Sequence, residues 1–99
     1  MDIEKELIGY PLIDDVAVMG INDPIWGQRI FSLLVLKKNN VSKFNQNDFI
    51  NWCKLRLPKH SVPSLIKFID KMPRNQLGKV NKRELIDKYE KIFAEEIKR

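Results

Sequence analysis

The chain has little cysteine and little histidine. Its 99 residues include one of each, Cys53 and His60. A single cysteine excludes an internal disulfide, and the two residues together are too few for a metal site built from cysteine and histidine ligands. Nothing in the cysteine usage indicates an oxidising compartment, so a reducing one is expected.

Long apolar runs are missing as well. No stretch reaches the roughly 18 apolar residues that a membrane-spanning helix needs. The opening segment, MDIEKELIGY, is acidic and lacks the basic-then-apolar order of a signal peptide. We therefore expect neither a membrane span nor a signal peptide in this sequence.

What is present is an ordinary globular composition, with 43% hydrophobic and 31% charged residues. The length fits one small domain, residues 1–99, with a modest core. Because a small domain buries a smaller share of its surface than a large one, an enclosed active site is not expected inside it. Any chemistry would need a pocket supplied mainly by a partner domain.

The charge is unevenly distributed along the chain, whose net charge is +5. Residues 1–50 carry 5 basic and 7 acidic side chains, whereas residues 51–99 carry 13 and 6. The basic half suits an anionic partner: nucleic acid, a phosphorylated small molecule or an acidic protein face. Solvated helix faces alone also produce such an asymmetry, so the charge does not choose among these.

Hydrophobic periodicity predicts six elements in the order α-β-β-α-β-α. The predicted helices cover 3–9, 46–57 and the chain from 82 onward, and the predicted strands cover 15–21, 29–37 and 64–71. The second strand is apolar on both faces along much of its length, which is typical of a central strand. This order predicts an α+β domain with a small, mostly antiparallel β-sheet flanked by about three helices.

Capping residues and apolar stripes support the three helices. Asp2, Asn45 and Asn81 precede them as candidate N-caps. The second helix places four apolar residues on one face: Phe49, Trp52, Cys53 and Leu57. The last helix has a longer stripe: Leu85, Ile86, Tyr89, Ile92, Phe93 and Ile97.

The segment MPRNQLGKVNKREL, residues 72–85, places Lys79 directly after Gly78 in a loop that opens with Pro73. A Walker phosphate loop is excluded, because Pro73 stands where its first glycine belongs and Val80 stands where it needs Ser or Thr. Proline fixes one backbone dihedral and glycine permits a tight turn, so the loop is suited to aiming the lysine side chain. An ammonium so aimed could stabilise a reacting phosphate or carboxylate; a solvated turn lysine is the other interpretation.

Nucleic-acid binding is the rival function. Trp26 and Trp52 could stack on bases beside the basic half of the chain, as in a stand-alone binding module for nucleic acid or an acidic partner. Against this, Trp52 lies on an apolar helix face, and the last helix mixes basic with acidic residues, which is typical of a solvated face. A Cys53–His60 nucleophile pair is not expected, because Cys53 lies on the packed face and no orienting acid is evident.

A family pattern runs through residues 15–36, DVAVMGINDPIWGQRIFSLLVL, and 57–85, LPKHSVPSLIKFIDKMPRNQLGKVNKREL. It consists of a Val-rich strand, Asp-Pro, Trp-Gly-Gln-Arg, a second strand, a helix, Val-Pro and Pro-x-x-x-x-Gly-Lys, in that order. The pattern resembles the C-terminal domain of the acyl-activating, adenylate-forming enzymes: acyl-CoA synthetases, luciferases and peptide-synthetase adenylation domains. The likeness extends from Ile3 to about Leu85, nearly the whole chain.

The resemblance implies a catalytic role for Lys79, with Pro73 and Gly78 positioning it. In the family this lysine enters the active site of a large N-terminal domain. There it bridges the attacking carboxylate and an oxygen on the nucleotide side as acyl-AMP forms. The small domain then rotates, and CoA attacks the adenylate at another of its faces. ATP and CoA are the implied co-substrates, with Mg²⁺ accompanying ATP and bound mainly by the N-terminal domain.

The segments WGQRI and PRNQLGKVNKREL are most similar to the malonyl-CoA synthetase branch. That branch implies a mitochondrial matrix location, with a cytoplasmic one as the alternative. Short-chain acyl-CoA synthetases contact a CoA phosphate through the arginine of Asn-Trp-x-Arg, and Asn51-Trp52-Cys53-Lys54 resembles that segment. Lys54 is therefore either a CoA contact or a solvated helix lysine, since lysine keeps the charge without the bidentate fork.

Two features of the family would lie before Met1: the hinge residue and a glycine-rich segment. The pockets for ATP and the acid also belong to the N-terminal domain of these enzymes. By this resemblance the 99-residue chain alone is expected to have no synthetase activity.

Overall fold

A computed structural model describes residues 2–38 and 41–97, and of Ile97 the backbone only. The helices are α1 (Ile3–Leu7), α2 (Gln46–Arg56) and α3 (Lys82–Ile97), and the strands are β1 (Ile13–Asp23), β2 (Gly27–Leu36) and β3 (Leu65–Phe68). Single 3₁₀ turns cover Val41–Lys43 and Lys59–Ser61. The predicted order of the six main elements is confirmed. None of the helices in the described segments has the length and apolar content to cross a membrane.

Each helix begins behind a polar residue whose side-chain oxygen accepts a hydrogen bond from the N–H three positions further on. The pairs are Asp2 and Lys5 at 3.3 Å, Asn45 and Asp48 at 3.0 Å, and Asn81 and Glu84 at 3.2 Å. All three predicted N-caps are confirmed. These bonds satisfy N–H groups that have no partner within the helix, so the polar residues set where the helices start.

The sheet has the order β1-β2-β3 and is mostly antiparallel, as predicted. β1 and β2 form a hairpin, in which Asp23 is opposite Gly27 across the turn. β2 lies in the centre, as its two apolar faces predicted. β3 runs parallel to β2, with Phe31 opposite Leu65, because the connection through α2 returns the chain in the same direction.

β3 is shorter than the predicted strand 64–71. Its ladder with β2 ends at Phe68, and one further bond joins the N–H of Ile69 to the carbonyl of Leu34 at 3.0 Å. Beyond this point the chain bends away from β2, so the remaining apolar and charged residues belong to a loop. Alternation of side chains alone did not reveal where the pairing with β2 ends.

Both faces of the sheet are covered, and each cover forms its own cluster. α3 packs on one face through Leu85, Tyr89 and Phe93, with Ile86 and Ile92 partly buried beside them. α1 and α2 cover the other face through Leu7, Phe49, Cys53 and Leu57. The predicted stripes of α2 and α3 are confirmed, with Trp52 half-buried; the side chain of Ile97 lies outside the described residues.

Candidate functional site

The segment that joins β3 to α3 carries Lys79; residues 72–80 are called the lysine loop below. The loop is anchored in the core at both ends, because Met72 is buried and Val80 packs against the cluster beneath α3. Its tip lies in solvent, where Leu77 is 81% exposed. Pro73, Gly78 and Lys79 are therefore brought together, at the α3 side of the sheet.

The peptide bond that precedes Lys79 is held by side chains at both of its polar atoms. Its N–H, on Lys79, donates to Oδ1 of Asn75 at 3.0 Å, and its carbonyl oxygen, on Gly78, accepts from Nη1 of Arg74 at 2.8 Å. The carbonyl of Lys79 itself accepts from the N–H of Asn75 at 2.9 Å. Gly78 has φ of +80°, the left-handed conformation in which glycine is favoured. The backbone of Lys79 is thus fixed while its side chain extends outward.

Asn75 organises the turn. Its side-chain oxygen also accepts from the N–H of Leu77 at 2.9 Å, and its carbonyl accepts from the N–H of Gly78 at 2.9 Å. Neither Asn75 nor Arg74 is among the residues predicted from the sequence to serve the site. The role of Asn75 could have been predicted from the sequence, because asparagine side chains form hydrogen bonds with the backbone two residues further on and start turns of this kind.

Arg74 ties the lysine loop to the sheet. Its Nη2 lies 2.9 and 2.8 Å from the two carboxylate oxygens of Asp15 on β1. No local pattern in the sequence indicates this contact, because the two residues are 59 positions apart. The same guanidinium therefore joins β1 to the carbonyl that precedes Lys79.

The ammonium of Lys79 makes no hydrogen bond or ion pair with any residue that the structure describes. Two other lysines of the domain are paired, Lys82 with Glu4 at 2.7 Å and Lys67 with Glu96 at 3.0 Å. Lys79 is exposed, so its charge is available to another molecule. A compact cation on a fixed backbone can bind a phosphate or carboxylate oxygen and offset charge that develops there.

Lys54 lies elsewhere, on the last turn of α2, and is exposed. It lines a surface pocket of about 520 Å³ together with Lys59, Ser64 and the apolar residues Leu57, Val62 and Pro63. α2 covers the face of the sheet opposite to α3 and the lysine loop. Lys54 and Lys79 thus belong to different faces of the domain and do not form one site.

Two other residues considered in the sequence, Cys53 and Trp26, differ in their burial. Cys53 is fully buried, and this burial raises the pKa of its thiol to about 11, so the thiol stays protonated near neutral pH. Trp26 is 75% exposed at the tip of the β1–β2 hairpin. Asp23 shapes that tip: backbone N–H groups of Ile25 and Trp26 donate to its carboxylate and, with Arg29, lower its pKa from the ordinary value.

No group of three or more histidine, cysteine, aspartate or glutamate side chains is placed to hold a metal ion in residues 2–38 and 41–97.

Known proteins are similar to this chain in sequence, and solved structures are similar to it in fold. Over 86 residues the chain is 38% identical to the mitochondrial malonate–CoA ligase ACSF3 of Mus musculus, covering 87% of this chain and 14% of that protein. It is 33% identical over 88 residues to the long-chain-fatty-acid–CoA ligase FadD13 of Mycobacterium tuberculosis, covering 89% and 17%. The chain therefore spans about a sixth of the length of these relatives.

Among solved structures, ATP-bound MatB from Rhodopseudomonas palustris superposes with a TM-score of 0.81 at 26% identity, covering 92% of this chain and 18% of that one. The family described as the AMP-binding enzyme C-terminal domain matches residues 2–79, a span that includes every residue of the lysine loop except Val80. The order of elements, the sheet and the sequence match agree, and the chain belongs to the AMP-binding enzyme C-terminal domain family.

Proposed function

We propose that this chain is the C-terminal domain of an AMP-forming acyl-CoA synthetase and that Lys79 acts in its first half-reaction. Family membership and the CoA-ligase relatives support the general activity. The observation that carries the residue assignment is the ammonium of Lys79, which has no partner among the described residues and follows a peptide bond held at both polar atoms. Pro73 and Gly78 are proposed to shape the loop rather than to touch substrate.

In the proposed first step, a carboxylate oxygen of the acid attacks the α-phosphorus of ATP, acyl-AMP forms and pyrophosphate leaves. Negative charge is redistributed between the attacking carboxylate and the phosphate oxygens. The ammonium of Lys79 bridges the two and stabilises the transition state. The partner in this step is the protein's own N-terminal domain, which supplies the pockets for ATP and the acid and most of the ligands for Mg²⁺.

In the proposed second step, the thiol of CoA attacks the acyl carbon and AMP leaves. The domain rotates between the steps, so that the face carrying the lysine loop is replaced by another. The location of Lys54 on the opposite face from Lys79 supports this assignment. Lys54 is proposed to contact a CoA phosphate, with its charge but without the fork of an arginine.

Malonate is the proposed acid, and the mitochondrial matrix the proposed location. Both rest on the similarity to malonate–CoA ligase ACSF3. FadD13 makes a long-chain fatty acid the alternative substrate, and the cytoplasm is the alternative compartment. Assaying the full-length protein with malonate and with a long-chain acid, and fractionating cells that express it, would decide both questions.

The test of the central assignment separates the two half-reactions in the full-length protein. Lys79→Ala should abolish most of the acid-dependent exchange between ATP and pyrophosphate. Thioester formation that starts from preformed acyl-AMP should survive far better, because Lys79 is not required in that step. Equal loss in both assays would exclude the proposed role.

A further inference from the structure

The guanidinium of Arg74 makes two kinds of contact at once. Nη2 bonds to both carboxylate oxygens of Asp15, while Nη1 donates to the carbonyl of Gly78. The side chain of Arg74 is 43% exposed and that of Asp15 is 29% exposed. An exposed ion pair of this kind adds little to stability by itself. The geometry of the pair indicates a positioning role instead, since Arg74 connects β1 to the carbonyl oxygen of Gly78, which directly precedes Lys79.

Arginine is suited to this contact in a way that lysine is not. Its planar group presents several N–H donors at fixed angles, so a carboxylate and a carbonyl can be bound together. A lysine ammonium carries the same charge on a flexible stem, and holding Asp15 would not fix its position relative to Gly78. Replacing Arg74 by lysine therefore separates the effect of charge from the effect of geometry.

Asn75 completes the arrangement from the other side of the peptide bond, where its Oδ1 holds the N–H of Lys79. With the carbonyl bound by Arg74 and the N–H bound by Asn75, rotation of the Gly78–Lys79 peptide plane breaks one bond or the other. Glycine needs such restraint, because its backbone has more accessible conformations than that of any other residue.

We propose that Arg74 and Asn75 are positioning residues for Lys79, with Asp15 as the anchor of Arg74 on the sheet. This inference rests on the proposed function of Lys79 and adds to it the means by which the ammonium is held in direction. Misplacement of a reacting group by about 1 Å can lower a rate by about 100-fold. Loss of the restraint should therefore lower the rate of adenylation without preventing folding.

The experiment compares Arg74→Ala, Arg74→Lys and Asn75→Ala in the full-length protein. Arg74→Ala and Asn75→Ala should lower kcat for adenylation by about 10- to 100-fold with little change in the KM for ATP. Arg74→Lys should recover little of the lost rate. Thioester formation from preformed acyl-AMP should be unchanged in all three, a difference that simple destabilisation would not produce.

Arg83→Ala is the matched control. Arg83 is an exposed arginine in the first turn of α3, and its guanidinium has no hydrogen bond or ion pair with any described residue. Its replacement removes the same charge and should leave both half-reactions unaltered. Asp15→Ala should lower the rate in the same direction as Arg74→Ala and by no more, and the double variant should lose no more than Arg74→Ala alone, because Asp15 acts on the loop through Arg74.

A second measurement follows the loop directly. In the 99-residue chain, backbone ¹⁵N order parameters at Gly78 and Lys79 should fall from about 0.85 toward about 0.6 in Arg74→Ala. If Lys79→Ala leaves adenylation intact, the proposed function fails, and the positioning role fails with it. If Lys79→Ala lowers adenylation while Arg74→Ala and Asn75→Ala do not, only the positioning role is overturned. Unchanged order parameters would overturn it as well.

Discussion

A side chain introduced at Gly78 would cause backbone strain but no steric clash with the described residues, although the two effects often occur together. The φ of Gly78, +80°, is unfavourable for residues that carry a Cβ atom, yet among the described residues no heavy atom beyond Gly78 and its two chain neighbours lies within 4 Å of where that Cβ would be. A side chain at this position would therefore cost conformational energy alone. This makes residue 78 a sensitive place to test whether the turn has the described conformation.

Gly78→Ala should lower the free energy of unfolding by about 1 kcal/mol, because alanine resists the left-handed region. Gly78→Asn should cost less, since asparagine enters that region more readily. Chemical denaturation of the 99-residue chain measures both. Equal losses in the two variants would contradict a left-handed turn at this residue.

Cys53 should make the stability depend on alkaline pH. Burial raises the pKa of the folded thiol from 9.0 to about 11, so the folded state holds the proton more tightly than the unfolded state. This contribution is fully present below pH 9.0 and is lost as pH rises toward about 11. Stability curves of the chain and of Cys53→Ala should converge over that window. Parallel curves would show that the thiol is not buried as described.

The residues of the lysine loop were predictable in part. The positive φ of Gly78 follows from the turn chemistry of glycine. Asn81, just after the loop, is recognisable as a cap for the same kind of local reason. The link from Arg74 to Asp15 depends on how β1 and the loop meet in three dimensions. Local sequence does not encode that contact, so the hydrogen bonds that restrain the backbone of Lys79 were identified only in the structure.

At the scale of elements, β2 is the centre of the domain and contains one unusual residue. Ser32 is fully buried, and its Oγ has no hydrogen-bond partner in the described parts of the chain. It lies opposite Val18 on β1 and Ile66 on β3, between apolar side chains. A buried hydroxyl without a partner costs free energy that an alanine methyl group would not.

Ser32→Ala should therefore raise the free energy of unfolding by about 1 kcal/mol. Ser64→Ala is the contrasting variant, because Oγ of Ser64 accepts from Nε of Arg29 at 3.1 Å. That replacement should leave stability unchanged or lower it. Thermal unfolding of both variants gives the comparison, and a loss of stability in Ser32→Ala would mean that its hydroxyl has a partner.

The helices and strands also show which features of the fold the sequence pattern can predict. Helix starts follow from Asp2, Asn45 and Asn81, whose capping bonds are local, and the central place of β2 follows from its two apolar faces. The parallel pairing of β3 with β2 and the end of β3 at Phe68 do not follow from the sequence pattern. Both depend on which strand β3 pairs with and on how many residues the pairing covers. Predictions thus succeeded where the deciding contact lies within a few residues along the chain.

Across the whole molecule, ion pairs within the domain neutralise part of the positive charge carried by the second half of the sequence. Among the described residues of the second half, three basic side chains are paired with acids: Lys67 with Glu96, Arg74 with Asp15 and Lys82 with Glu4. α3 carries acidic residues among its basic ones along its length. A continuous phosphate-binding stripe is not formed by these residues.

DNA and RNA should accordingly bind the 99-residue chain weakly. Titrations at about 50 mM and about 200 mM salt would measure the affinity and its salt dependence. Tight binding that weakens steeply with salt would favour the rival function, a nucleic-acid module that uses the exposed Trp26.

The face of the domain that bears Lys79 is proposed to serve adenylation, and the opposite face the attack by CoA. The most direct measurement is the rate of acyl-adenylate formation in a single turnover of the full-length protein. Lys79→Ala should lower that rate by about 100-fold or more, the effect of losing one stabilising donor in a transition state. Lys71→Ala, which removes an exposed charge one residue before the loop, should leave the rate unchanged. Equal rates for Lys79→Ala and Lys71→Ala would contradict the claim.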